Sequence, residues 1–387
     1  MTGPLDGVLV ADFSRVLAGP LATATLADLG ATVVKVERPG TGDDTRAWGP
    51  PWVGEPGGTA AYFHAANRSK RSVTLDLADP VDRELAHRLA ARADVLVENF
   101  KTGTLSKHGL GYEQVAVTNP GIVYCSVTGF GSAGGADLPG YDFLVQAVGG
   151  LMSITGAADA EPTKVGVAVV DVLTSKDATV GILAALRARE QSGLGQHVEV
   201  NLLSSLLASL ANQAGSFLAT SRAPGRMGNA HPSIAPYELL RCSDGPLAVA
   251  CGNDGQFRRL AEALGAPELA ADPRFATNPA RVEHRPQLVA ALEARLRHGT
   301  ADHWSAALTD VGVPAGKVGD VGDAIALAER LGLSPTVTVA PDAPAQVRHP
   351  VTYSRTPVTS YLPPPRLGQH DDEIRRWLSD PTKENPT

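Results

Sequence analysis

Cysteine is scarce in this sequence: three in 387 residues, at Cys125, Cys242 and Cys251. Their number and scatter exclude a disulfide framework and a Cys-x-x-Cys metal site, and point to a reducing compartment. A basic excess is missing as well. The 34 Lys and Arg against 41 Asp and Glu give a formal charge of −7. Duplex affinity rests on clustered cations, and the one dense basic run, Arg68, Lys70 and Arg71, is too short to supply it. No nucleic-acid partner is expected. No stretch approaches the ~20 apolar residues that span a bilayer, and the N-terminal MTGPLDGVLVADFSR has no basic segment leading into an apolar one. The chain is expected to be soluble and cytoplasmic, with no membrane partner.

Several catalytic signatures are also absent. There is no Gly-x-x-x-x-Gly-Lys-Ser/Thr phosphate loop and no Gly-x-Ser-x-Gly nucleophile elbow. None of the ten histidines is paired as His-x-x-x-His, so no metal is expected. What the chain has in plenty is glycine and proline, 40 and 29 residues, together about 18% against about 12% in average usage. They are spread along the chain, which describes a loop-rich globular enzyme rather than a linker protein. With 43% hydrophobic residues and a mean hydropathy of −0.04, there is material for a full core in two or three domains.

The first 130 residues read as a parallel α/β layer. Val8–Phe13 is an apolar run, Pro20–Leu29 a helix closed by Gly30, and Thr32–Val36 a second run, which makes a βαβ unit. Asp79 can cap a helix opened by Pro80, with Leu85 and Leu89 on one face. Val95–Val97 and IVYCSVTGF supply two more strands. Four strands separated mostly by helices imply a Rossmann-like layer. A long helix follows from Val172, with Gly193 and Gly195 past its end, and a second helical stretch runs from Val200 to Leu218. The pattern predicts a large domain over 1–218, a linker over 219–235 and a small mixed domain over 236–325. In the last of these a hairpin turns at Ser243-Asp244-Gly245 and a helix carries Phe257, Leu260 and Leu264. Residues 326–387 form a C-terminal segment that ends in a short helix.

Two motifs carry chemistry. Gly129-x-Gly131-x-x-Gly134 follows a strand as a dinucleotide loop does, but Asp137, Pro139 and Gly140 stand where the helix should begin. It reads as a loop beside some other ligand. Asp171 follows the apolar run Val165–Val170 and precedes the long helix. It is either the helix N-cap or a carboxylate kept ionised by the helix amides and used as a nucleophile.

Seven segments together decide more than any one of them: DFSRVLAGPLATATLADLGATVVKVERPGTGDDTR, NRSKRSVTLDL, DVLVENFKTGTLSKHGLGYE, IVYCSVTGFG, GYDFLVQAVGG, GVAVVDVLTS and LGQHDDE. In this order they resemble the class III CoA-transferases, the CaiB/BaiF or formyl-CoA transferase family. The resemblance implies an α/β fold with a Rossmann-like large domain and a smaller mixed α/β domain, the large one built from both ends of the chain. It also implies an interlocked homodimer. Asp171 becomes the catalytic aspartate. Leu17, Ala18, Arg38, Leu75, Asn99, Phe100, Lys101, Lys107 and Tyr141 become contacts of CoA, which is a substrate and not a tightly bound cofactor. A run of glycines that covers the site in some members is reduced here to Gly252 and Gly255.

The rival within the fold is an α-methylacyl-CoA racemase, in which a histidine stands at the place of Tyr141. A phenol is a poor proton acceptor at neutral pH. A non-catalytic acyl-CoA-binding protein is the other alternative. RPGTGDDTRAWGPPWVG, GLMSITG, NLLSSLLASL, RMGNAHPSIAPYELL and PPPRLGQH resemble the succinyl-CoA-dependent dicarboxylate transferases. A diacid needs a cationic anchor for its distal carboxylate. Arg46, Arg226 and His231 are the candidates by motif proximity.

Overall fold

Short β-branched runs in which every residue is apolar suit strands buried on both faces of a parallel sheet. The computed structural model describes residues 3–55 and 57–380. Six strands form the main sheet, and its central ones are of this kind: β1 (Leu9–Asp12), β2 (Thr32–Glu37), β3 (Lys70–Thr74), β4 (Val95–Glu98), β5 (Val123–Thr128) and β6 (Gln196–Asn201). All pairings are parallel, in the order β3-β2-β1-β4-β5-β6. The direction of winding therefore reverses between β1 and β4, as in a Rossmann sheet.

The helices that flank the sheet include α1 (Ala18–Asp28), α2 (Ala61–Ala66), α3 (Pro80–Arg92), α4 (Asp142–Val148), α5 (Val169–Ser192), α6 (Leu202–Ser209) and α7 (Ala211–Thr220). Alternation along the strands feeds two cores. Leu9, Val34, Leu96 and Tyr124 pack with Leu85 and Leu89 of α3, while Val10, Val33, Val95 and Val123 pack with Leu26 of α1 and Ile182 of α5. The Asp79 carboxylate accepts from Val81 and Asp82 at the start of α3, with Pro80 at its first position. Gly193, at φ 75°, ends α5 in the left-handed conformation that favours glycine.

Two strands escape the sequence reading. β3 is the basic run itself: Lys70 is buried on Asp12, and Arg71 pairs with Glu373 of the C-terminal helix Asp371–Ser379. β6 is an edge strand whose polar residues hide its alternation. The stretch Val200–Leu218, expected as one helix, is the end of β6 followed by α6 and α7, which are bent 80° apart. No single helix among the described residues is long and apolar enough to cross a membrane.

The chain divides into two units. Residues up to Leu151, Val165–Ser221 and those from Ser334 onward make the first; Met152–Lys164 and Arg222–Leu333 make the second. The expected linker is thus split, with its residues from Arg222 on belonging to the second unit. In that unit β7 (Tyr237–Arg241), β8 (Pro246–Ala250) and β9 (Ala315–Lys317) form an antiparallel sheet in the order β9-β8-β7. Helices α8 (Asp254–Ala263), α9 (Arg285–Leu296) and α10 (Ala301–Asp310) supply its core, with Phe257, Leu260, Leu288, Leu292 and Leu308.

Candidate active site

In open α/β sheets, ligands bind beyond the strand ends where the winding reverses. Here that place is built from the loops after β1 and β4. The N–H of Phe13 donates to the Val97 carbonyl at 2.8 Å. The Asn99 side chain then clamps the β1 loop from both sides, accepting from the Arg15 N–H at 2.8 Å and donating to the Arg15 carbonyl at 2.7 Å. Val16 is forced to φ +71°, a conformation that is unfavourable for a β-branched residue and costs about 1–3 kcal/mol. The Asp43 carboxylate accepts its N–H at 3.3 Å. This sharp turn starts α1 at Ala18 with no side-chain cap, so the leading N–H groups of that helix are available to an anion.

Buried ion pairs support the turn. Lys70 meets Asp12 at 3.0 Å and Lys35 meets Asp43 at 2.9 Å, all four side chains fully buried. Lys35 Nζ also donates to the Ser14 carbonyl at 2.8 Å. Burial alone would raise the Asp12 pKa, but Lys70 and Lys35 outweigh it and hold the carboxyl down at about 2. Burial pushes Lys70 down to about 8.

Two cavities open on this floor, both within the first unit, and Arg15 and Phe100 line both. One, of about 460 Å³, is lined by Arg38, Leu75, Phe100 and Leu105 among others. The other, of about 540 Å³, gathers Leu17, Ala18, Asn99, Lys101, Tyr141 and Asp171 with the glycine loop at Gly129 and Gly131. Nine of the ten residues expected for catalysis and CoA binding line one cavity or both. Lys107 is exposed and lines neither. None of the expected acid anchors is among the residues lining either cavity. Arg46 is buried, donating to both oxygens of Glu37 at 2.8 and 2.7 Å and to the Pro365 carbonyl at 3.1 Å, with its guanidinium over Phe63. That fork is committed to holding the β2 loop. Arg226 and His231 belong to the second unit, where Arg226 donates to the Ala157 and Ala160 carbonyls. The Gly252–Gly255 stretch is a helix start, with the Asn253 side chain capping α8.

Asp171 lies in the first turn of α5, but Ala168 holds the N-cap position. The capping is done from another helix. Oδ1 of Asp142, at the start of α4, accepts from the N–H groups of Val170 at 2.7 Å and Asp171 at 3.3 Å. Its Oδ2 accepts from Gln146 at 2.6 Å. The Asp171 carboxyl is therefore not needed as a cap. Nor do the helix amides keep it strongly acidic, as the sequence suggested: burial and then the Asp142 charge push it up to about 7. Tyr62 of α2 feels the same field. Burial, Asp171 and Asp142 raise its phenol to about 12, so it stays an O–H donor at any physiological pH. Its ring meets Trp48 edge-on at 5.4 Å. Asp142 stands in the GYD segment, but nothing in the local pattern marks Tyr62 or the place of Arg15 in the lining of both cavities.

A Rossmann sheet with two adjacent cavities at its crevice, and a raised-pKa carboxyl lining one of them, is the architecture of an α/β enzyme. Known proteins agree on which: residues 5–371 match the model of CoA-transferase family III, and the chain belongs to that family. It is 45% identical over 383 residues to the succinate–glutarate CoA-transferase of Agrobacterium fabrum, covering 96% of this chain and 94% of that one. It is 41% identical over 380 residues to the succinyl-CoA:glutarate CoA-transferase of Mus musculus, covering 96% and 85%. The crystal structure of a CAIB/BAIF family protein from Brucella suis superposes with a TM-score of 0.88 at 46% identity, over 98% of this chain and all of that one. The chain is a family III CoA-transferase, and CoA thioesters are its substrates.

Proposed function

We propose that the enzyme moves CoA from succinyl-CoA to a C4 to C6 dicarboxylate, glutarate foremost, with Asp171 as the covalent nucleophile. The observation that carries this reading is the Asp171 carboxyl itself: it lines the larger cavity, is relieved of capping by Asp142, and is tuned to about 7. A carboxylate near its pKa at neutrality is ionised in a large share of molecules and needs no general base.

The ionised Asp171 oxygen attacks the thioester carbonyl, and collapse of the adduct expels CoA thiolate and leaves an aspartyl–succinyl anhydride. The thiolate attacks the Asp171 carbonyl of that anhydride, releasing succinate and leaving an aspartyl-CoA thioester. The acceptor carboxylate attacks this thioester, giving a new anhydride and thiolate again. Attack of the thiolate on the acceptor's acyl carbonyl forms the product and restores Asp171. Negative charge accumulates on oxygen and sulfur in turn. The uncapped start of α1 at Leu17 and Ala18, in the same cavity, supplies N–H groups for it. Arg38, Leu75, Asn99, Phe100 and Lys101 would follow the CoA chain, with Lys107 at the rim. Arg226 and His231 stay as the proposed distal-carboxylate anchors, and Arg226→Gln should then raise KM for the diacid while leaving KM for succinyl-CoA in place. The working form would be an interlocked homodimer in the cytoplasm.

Purified protein given succinyl-CoA and a panel of diacids should form the matching diacyl-CoA. No product with any diacid rejects the substrate assignment. Asp171→Asn and Asp171→Ala should abolish exchange, and mass spectrometry of the wild type after acyl-CoA treatment should find the adduct on the Asp171 peptide. Deuterium entering the α-carbon of a 2-methylacyl-CoA without exchange between acids would instead identify a racemase.

A further inference from the structure

Arg15 and Asp44 have no role so far, yet they sit where the two cavities meet. Arg15 and Phe100 are the two residues that line both. The Arg15 guanidinium lies 5.0 Å from the Phe100 ring centre, and its Nε is buried and donates to nothing among the described residues. Asp44 lines the larger cavity and Arg38 the smaller. The Asp44 carboxylate accepts from Arg15 at 3.4 Å and from Arg38 at 2.5 Å. One carboxylate thus holds two arginines together across the junction. The backbone keeps Arg15 there, through the Asn99 clamp and the strained Val16.

CoA carries its diphosphate at the join between the nucleoside and the pantetheine arm. Resting on the reading above, with the nucleoside in the smaller lobe and the arm running to Asp171, the diphosphate falls at this junction. We propose that Asp44 is an internal stand-in for the CoA diphosphate, and that Arg15 leaves it to bind the diphosphate with Arg38 when CoA enters. The exchange is favourable in direction. Asp44 offers one charge at a site 42% exposed, where an ion pair is weak, whereas a diphosphate offers two charges and the paired acceptors that an arginine fork matches.

Calorimetry of the full chain with CoA alone tests this without turnover, so a failed diacid assay would leave the result readable. Arg15→Gln should weaken CoA binding roughly tenfold or more and leave pantetheine, which lacks the diphosphate, unaffected. Asp44→Asn should tighten CoA binding by roughly two- to fivefold, and that gain should vanish in the Arg15→Gln background. Arg15→Lys should recover part of the loss. Unchanged CoA affinity in a folded Arg15→Gln protein, or CoA binding in Asp44→Asn that is unchanged or weaker, overturns the proposal. Should Arg15→Gln fail to fold, the exposed Asp44→Asn change still decides it.

Discussion

Asp171 is placed where charge is unwelcome, and two measurable consequences follow from its pKa near 7. The first is kinetic. If the carboxylate is the nucleophile, kcat/KM should rise with pH through about 7 as the free enzyme ionises. Asp142→Asn keeps an oxygen for the Val170 and Asp171 N–H groups but removes the nearest negative charge. The acidic limb of the profile should then move to lower pH; a limb that stays put would remove Asp142 from the electrostatics. The second consequence is thermodynamic. An acid whose pKa is higher folded than unfolded (about 3.9) binds its proton longer in the native state, so the wild type loses stability as pH rises from about 4 to about 7. Asp171→Asn carries no such penalty. It should be more stable than the wild type at pH 8 by on the order of 2 kcal/mol, after allowance for partial solvation by the cavity, and little different at pH 4. Paired denaturation curves at the two pH values check this, and equal differences at both would refute it.

At the level of elements, the site depends on β3 and the loop after β1. Lys70→Met should remove the ion-pair partner of the buried Asp12, leaving it only Lys35 nearby and hydrogen bonds from Ser14 and Thr23, at a cost of about 3 kcal/mol. Adding Asp12→Asn should recover much of that loss in urea titrations. Full recovery by the second change is not required, but a harmless Lys70→Met would show that the pair carries no weight. The same strand marks the limit of what the sequence discloses. β1, β2, β4 and β5 are legible because most of the side chains they bury are apolar, and α3 because its cap, proline and leucine spacing agree. Lys70 reads as a surface charge because its partner Asp12 is 58 residues away, and no local window contains both. β6 is obscured for a different reason: an edge strand buries little, so Val198 and Val200 alternate with exposed polar residues and adjoin helix-like sequence. The candidate site divides the same way. Asp171 stands out by its place before a long helix, whereas Asp142 and Arg15 reach the site only when distant loops meet.

Across the whole molecule, α7 is the feature that one chain leaves unexplained. None of its residues is buried, and Phe217 and Leu218 are 47% and 79% exposed. A ten-residue helix with an uncovered apolar side gains little from propensity alone. A bilayer is a poor cover. α6 and α7 are bent by 80°, and arms of eight and ten residues reach only about 12–15 Å each at 1.5 Å per residue, half of a ~30 Å hydrocarbon core. A second copy of the chain, as the family resemblance implies, would cover such a surface without that mismatch. Light scattering under native conditions should accordingly give twice the 40.2 kDa chain mass, and a mass of one chain would reject the homodimer. Leu218→Glu would place a charge in the buried contact, so it should shift the species toward monomer or lower its thermal midpoint in a concentration-dependent way. If the side chain faces water in solution as it does in the isolated chain, the same substitution should change neither.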